Sequence, residues 1–343
     1  MSTAAALIVM LSNQGYWFGG QAGTIGVSWA VSGPIPGAVL AWELKVDGVR
    51  LAADRVGLGG GETTTQLTVT VPEVRVPTRM GWHYRLLARE GGDLLCEGGE
   101  VIRAYPYGLP AGADRAWKDK AVLTWDEPDG LGLLLTEAGI AHKRIDEASD
   151  LQLTRGELVL VGPDRLAEGS SDQESLLGLA RTGAGVLVFA QTKVDVLFGA
   201  RLAHRRGPAS LEWRESHPLL SGFDADDLRS LTTTQSELRA IQLPADAPVL
   251  EIGYWPREVP GEHPVPIDAL LSVQTVGAGR IVLCQAPLGR WKKDPRSQLL
   301  LANALQYLST RPEPTLPPSR RRVIRAVAPT SSPTITIPPG GRP

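Results

Sequence analysis

Hydrophobic and polar residues alternate through the first third of the chain. Leu40, Trp42, Leu44 and Val46 share one parity, and Ala41, Glu43 and Lys45 the other. Successive side chains of a strand point to opposite faces, so this spacing predicts a half-buried strand. Asp47-Gly48 follows, a pair suited to a tight hairpin turn before Val49 and Leu51. Leu67, Val69 and Val71 repeat the alternation against Thr68 and Thr70, and Trp82, Tyr84 and Leu86 do so against His83 and Arg85. Gly91-Gly92-Asp93 then turns the chain into Leu94 to Cys96. From Thr24 to Ile102 no 3.6-residue period is sustained, which predicts an antiparallel β-sandwich of about 100 residues, assigned here to 1–108.

Two prolines and two glycines between Tyr105 and Gly112 break both helix and ladder, and the pattern changes there. Strands are expected at Ala121–Trp125, His142–Ile145, Glu157–Val161, Gly185–Ala190 and Arg280–Gln285, the third and fourth almost wholly apolar. Helical stretches at Leu131–Ala138, Gln173–Arg181 and Ser297–Leu308 alternate with them. Strands apolar on both faces, interleaved with helices, predict a parallel sheet covered by helices over 109–310. Between Leu202 and Ala278 the pattern is irregular, and the Pro-rich stretch Tyr254–Pro266 reads as an insertion over one sheet edge. Residues 311–343, with Arg320-Arg321-Arg322 and a Ser/Thr/Pro run, lack the apolar content to fold and read as a disordered tail. Within it, Val323–Val327 offers a short edge-strand alternative.

With 343 residues, the chain exceeds one ordinary core and suits two domains. Lys and Arg number 35 against 37 Asp and Glu, so no basic field points to nucleic acid. Cys96 and Cys284 are too few for a disulfide framework or a cysteine-built zinc site. His142, His204 and His263 lack neighbours at ligand spacing, so no metal is expected; an oxygen-ligand site at Asp224, Asp226 and Asp227 is outweighed by a solvated turn. The glycine clusters at 57–61 and 277–279 lack the Gly-Lys-Ser/Thr of a phosphate loop, and no cofactor is expected. No apolar run is long enough for a membrane span. Ala4–Leu11 lacks a basic residue before it and a small-residue cleavage pattern after it, which favours a first strand and a cytoplasmic location over secretion.

In a parallel sheet, ligands gather beyond the carboxyl ends of the strands. The residues there are Trp125, Asp126 and Glu127; Gly162-Pro163-Asp164; Gln191, Thr192 and Lys193; and Gln285, Arg290, Trp291 and Lys292. The order of Gly156-Glu-Leu-Val-Leu-Val-Gly-Pro, Gly183-Ala-Gly-Val-Leu-Val-Phe-Ala-Gln, Ser216-His-Pro-Leu-Leu-Ser-Gly-Phe and Gly277-Ala-Gly-Arg-Ile-Val-Leu-Cys-Gln resembles the class I glutamine-amidotransferase-like superfamily. The likeness runs to its trehalose-utilisation (ThuA-like) branch and to versions appended to bacterial glycoside hydrolases, and it implies a flavodoxin-like fold. The preceding sandwich, with Trp42-Glu-Leu before a Gly turn, is similar to the immunoglobulin-like modules of family 2 glycoside hydrolases.

An active amidotransferase carries a cysteine nucleophile on the turn after a central strand, with a His base. Here that turn holds Gln191-Thr192, Cys284 falls inside a strand, and the late strand ends in Gln285-Ala-Pro. The departures imply lost amidotransferase activity, a pseudoenzyme. Thr192 as a substitute nucleophile lacks the Gly-x-Ser-x-Gly elbow around it. Asp126-Glu127 reads as a helix cap before it reads as a glycosidic acid–base pair. His217 heads the most family-like string, and a turn-bonding role is set beside a ligand role. Of the nine tryptophans, Trp29, Trp42 and Trp82 fall on core parity, while Trp125, Trp255 and Trp291 fall near strand ends, where a ring can stack on a sugar.

The expected ligand site is therefore Trp125, Asp126, Gln191, Thr192, His217, Gln285 and Trp291. The function that follows is a non-catalytic accessory or interaction protein linked to carbohydrate metabolism, with a carbohydrate ligand, a protein partner or a second copy. One rival is a ThuA-like or glycosidase-like hydrolase using Asp126 or Glu127 with His217. Another is a structural assembly subunit.

Overall fold

A computed structural model describes residues 5–11, 15–31, 37–58, 64–109, 116–117, 119–128, 130–147, 150, 157–205, 211–233, 238–243, 249–255, 267–288 and 291–310. The Pro-rich stretch after Trp255, His263, Arg290 and the tail from 311 lie outside these residues, as does the side chain of Trp29. The chain divides into two compact units, with the change at Tyr107 and Gly108.

The first unit is a β-sandwich. Strands β1 (Ala5–Leu11), β2 (Tyr16–Phe18), β3 (Ala22–Val31), β4 (Val39–Val46), β5 (Val49–Gly57), β6 (Thr64–Thr70), β7 (Thr78–Leu87) and β8 (Leu94–Tyr105) form two sheets, ordered β1-β3-β6 and β2-β8-β7-β4-β5. All neighbours are antiparallel except β2 and β8. The alternation read in the sequence is the reason for the layering. Leu40, Leu44, Trp82, Leu86 and Ile102 of one sheet meet Ile25, Val27, Leu67 and Val69 of the other in a single core. Hairpin β4–β5 pairs Val46 with Val49. Its turn residues Asp47 (φ 49°) and Gly48 (φ 81°) are both left-handed, the geometry that matches the strands' twist.

The second unit contains β9 (Val122–Trp125), α1 (Leu131–Glu137), β10 (His142–Arg144), β11 (Leu158–Val161), α2 (Asp172–Arg181), β12 (Gly185–Val188), β13 (Val196–Leu197), β14 (Ala200–Arg205), β15 (Glu212–Trp213), α3 (Ala225–Thr233), β16 (Leu238–Leu243), β17 (Val249–Trp255), β18 (Ile267–Val276), β19 (Gly279–Cys284) and α4 (Pro295–Ser309). Strands β10, β9, β11, β12 and β19 are parallel neighbours in that order. Beyond β19 the sheet continues antiparallel through β18, β16, β14 and β13, with β17 and β15 branching from β18.

The expected flavodoxin-like parallel-sheet domain is thereby corrected: the chain is mostly β, and its second unit is an 11-stranded mixed sheet. The cause lies in the connections. Parallel neighbours need a crossover, which α1 and α2 supply between the early strands. After β12 the chain returns in tight links instead. Phe198 (φ 49°) and Gly199 (φ 81°) close β13 onto β14, and Gly277 (φ 58°) closes β18 onto β19. Each such link reverses direction and builds an antiparallel strand.

Alternate residues of the parallel strands feed two cores. Val122, Leu158, Leu160, Leu187, Phe189 and Val282 pack with α1 and α4 on one face. Leu123, Trp125, Val159, Val161, Val186 and Val188 pack with α2 on the other. Helix α4 starts on Pro295, after Asp294 caps the Arg296 N–H at 3.0 Å.

Candidate functional site

Asp126, Gly162, Gln191 and Gln285 follow four adjacent parallel strands, so the topology brings them into one row at the carboxyl edge. The row is closed upon itself. Gln191 is fully buried; its Nε2 donates to the Phe189 carbonyl (2.6 Å) and the Gly162 carbonyl (2.9 Å), and its Oε1 accepts the Leu166 N–H (2.9 Å). Its own backbone N–H donates to Gln285 Oε1 at 3.2 Å. The Gln285 Nε2 is buried and has no partner among the described residues.

Asp126 accepts the Leu131 N–H at 2.7 Å, the first residue of α1, which is the capping role set against catalysis in the sequence. Its carboxyl lies between Gly130 and Gly162, where a Cβ at either position would collide with it. Burial raises the Asp126 pKa, while bonds from the Leu131 and Glu127 N–H groups and the Arg165 guanidinium pull it back. Arg165 itself is paired to Glu127 at 2.7 Å.

The remaining sequence-stipulated residues scatter. Thr192 is exposed and donates its hydroxyl to the Asp164 carboxylate at 2.8 Å, with no imidazole partner among the described residues. Trp125 and Trp291 are both buried but serve opposite faces of the sheet. Trp125 packs on the α2 side, whereas Trp291 meets Phe189 edge-on at 4.5 Å on the α1 and α4 side.

His217 lies at the other end of the strands. It packs against Tyr307 near the end of α4 (5.0 Å between rings), and Tyr307 is in turn covered by Arg280 (4.5 Å) at the start of β19. Arg280 and Gln285 are separated by the length of β19, about 16 Å at the usual strand rise. Asp126 and Glu127 are therefore not joined by His217, and the hydrolase constellation is not assembled. The His217 Nδ1 accepts the Leu219 N–H at 3.2 Å, capping a short 3-10 helix at Pro218–Leu220. Burial, with Arg214 and Arg280 adding, lowers its pKa to about 4. Cys284 is sealed in the core, where burial pushes its thiol up to about 12 and keeps it unreactive. Among the described residues, no three His, Cys, Asp or Glu side chains form a metal-binding group.

An open groove of about 720 Å³ lies instead in the first unit, on the five-stranded sheet. Strand register explains its lining. Arg55, Ala41, Arg85 and Glu97 form one row across β5, β4, β7 and β8; Ala53, Glu43 and His83 form the next. A bulge at Leu44/Lys45 carries Arg50 opposite Lys45 in a third. Ala41 and Ala53 keep the floor low between long charged side chains, and Trp42 and Tyr84, paired across β4 and β7, also border it. Lys45 pairs with Glu43 and holds that carboxyl below its usual range, with Arg50 and Arg85 adding to the effect. Arg50 and Arg85 make no ion pair among the described residues. The sequence marks this face as polar through Ala41, Glu43 and Lys45 and through His83 and Arg85; its concavity has no sequence signature.

No protein-family model matches the chain, and no curated protein matches it. The amidotransferase-like and ThuA-like resemblance thus finds no support. Solved structures similar over part of the chain include two of very low identity. The CARDB domain of the PF1109 protein in complex with di-metal ions, from Pyrococcus furiosus, is 9% identical over 30% of this chain and 93% of that one, with a TM-score of 0.23. The FMN-binding beta-glucuronidase from Facaelibacterium prausnitzii L2-6 is 13% identical over 53% of this chain and 27% of that one, with a TM-score of 0.21. At these scores neither likeness bears on fold or function.

Proposed function

We propose that the chain is a binding protein whose ligand face is the groove on the five-stranded sheet, and that the ligand is a hydroxyl-rich molecule of the carbohydrate class. The supporting observation is the groove itself: guanidinium, ammonium and carboxylate groups interleave across a low alanine floor, accessible from solvent. Adjacent sugar hydroxyls both donate and accept, so neighbouring Arg and Glu side chains suit them better than a field of one sign does.

The test is calorimetric titration and thermal shift of the full chain with neutral sugars, uronates and their oligomers, repeated with Arg85→Ala and Glu43→Gln. A ligand that binds the folded state raises the melting temperature. At least one sugar is expected to do so, with both variants weakening it tenfold or more. No shift with any sugar overturns the ligand class; unchanged affinity in both variants overturns the groove.

A second reading, homo-oligomeric assembly, is favoured by the outermost strand β5, where Val49 is 64% and Leu51 42% exposed beside unpaired backbone groups. Light scattering of wild type against Leu51→Lys tests it: a dimer that the lysine dissociates is required.

A further inference from the structure

Strand β9 reads Val-Leu-Thr-Trp and lies between the apolar β11 and the polar edge strand β10, His-Lys-Arg. Thr124 is the polar exception in β9. It is 1% exposed, and its hydroxyl has no hydrogen-bond partner among the described residues. Valine has nearly the same shape without the orphaned group, so the hydroxyl is a burden on folding unless something outside the chain bonds it.

The space it faces is a crevice of about 200 Å³, bordered also by Asp126, Glu127, Thr136, His142 and Arg144. Gly132 of α1 keeps it open: a Cβ there would lie 3.2 Å from His142 Nε2 and 3.8 Å from Thr124 Oγ1, so both atoms flank one point. The register agrees, since His142 pairs with Val122 and Thr124 is the next residue on that face.

Apart from Arg144, the polar side chains of the walls chiefly offer acceptors. His142 Nδ1 is 3.1 Å from the Ile140 carbonyl, which can only accept, so Nδ1 is the donor there and, in the neutral ring, Nε2 presents a lone pair. The Thr136 hydroxyl donates to the Gly132 carbonyl at 3.0 Å and has lone pairs left over. Arg144 is engaged by Asp146 at 3.1 Å and Arg165 by Glu127 at 2.7 Å, which leaves Asp126 as the carboxylate without an ion pair among the described residues. The lone pairs of Thr124, Thr136 and His142, beside a carboxyl that has backbone donors but no ion pair among the described residues, suit an occupant with several donors and a positive charge. Its volume is roughly that of six or seven waters.

We propose that the crevice between β9, β10 and α1 is a second binding site, for a small molecule bearing a primary ammonium group, with the ammonium between His142 Nε2, Thr124 Oγ1 and Asp126. This site belongs to the second unit and does not depend on the groove of the first.

The experiment titrates the full chain with ethanolamine, and with ethylene glycol as the same-sized control in which a hydroxyl replaces the ammonium. Binding is read by calorimetry and by amide chemical shifts of residues 122–144. Ethanolamine is expected to bind at least tenfold more tightly than ethylene glycol. Thr124→Val is expected to lose tenfold or more of that affinity while melting no lower than wild type without ligand, and Gly132→Leu to abolish binding by filling the space. No binding of ethanolamine, equal binding of the two probes, or full affinity in Thr124→Val each overturns the proposal.

Discussion

Replacing Gln191 with leucine separates a structural row from a ligand site. Leucine keeps most of the side-chain volume but removes two donors and one acceptor. The Phe189 carbonyl (2.6 Å), the Gly162 carbonyl (2.9 Å) and the Leu166 N–H (2.9 Å) then lose their partner, and all three residues are buried. Stripping a buried group of its hydrogen bond costs about 1–3 kcal/mol. The two carbonyls fall at the low end and the N–H in the middle, about 4 kcal/mol together, from which the leucine's apolar gain removes about 1 kcal/mol. A net loss of about 3 kcal/mol lowers the melting temperature by about 6–12 °C for a unit of this size. Differential scanning calorimetry of the full chain measures it, with Thr192→Ala as the comparator on the same turn. That exposed hydroxyl is expected to matter by less than about 1 kcal/mol. A Gln191→Leu protein melting within 2 °C of wild type refutes the structural account of the row.

Gly162→Ala is expected to destabilise by about 2 kcal/mol or more, because its methyl would displace the Asp126 carboxyl; adding Asp126→Ala recovers part of the loss in a double-mutant cycle read by urea unfolding. His217 confers a pH dependence with a defined sign. Its pKa falls from 6.5 unfolded to about 4 folded, so the unfolded chain binds the extra proton between these values. Its stabilising contribution is full above about pH 6.5, shrinks as pH falls towards about 4, and is worth about 3 kcal/mol across the window. His217→Asn, which keeps an acceptor for the Leu219 N–H, is expected to flatten this part of the stability–pH curve; an unchanged slope rejects the assignment.

The sandwich was legible because its alternation is strict. Leu40, Leu44, Trp82 and Leu86 are buried where their parity puts them, and Asp47-Gly48 turns as its composition predicts. The parallel strands β9, β11, β12 and β19 are legible as largely apolar runs, and β9, α1, β10, β11, α2, β12 and β19 lie within a residue or two of their expected spans. The antiparallel half was not. Its strands, such as Leu238–Leu243 with Arg239 and Gln242, mix polar residues into a sheet reached by hairpins, and which sheet a hairpin joins is a tertiary matter. At the carboxyl edge the sequence shows which residue types follow the strands, but not their direction. An amide after a strand can face solvent or turn inward onto carbonyls, and only the neighbouring loops decide. Trp125 and Trp291 make the same point: one ends β9, the other lies in the turn before α4, and they pack on opposite faces of the sheet.

Polar side chains in this molecule thus divide by where their hydrogen-bonding capacity goes. Gln191, Asp126 and His217 direct theirs to backbone groups of their own fold, at Leu166, Leu131 and Leu219 respectively. Such groups hold loops in place, and the shifted proton affinities of Asp126 and His217 follow from burial without requiring a reaction. Arg50 and Arg85 in the groove have no described ion-pair partner, and the Thr124 hydroxyl and the His142 Nε2 in the crevice have no described hydrogen-bond partner. The cost of such a surplus differs between the two places. Water satisfies the exposed arginines at little cost, so the groove is compatible with any polar ligand and its specificity must come from the spacing of Arg85, Glu43 and Arg55 across the strands. The Thr124 hydroxyl is walled off at the bottom of a small space, so its occupant is restricted in size and in donor count. The crevice is accordingly the narrower of the two specificities, and the groove the broader.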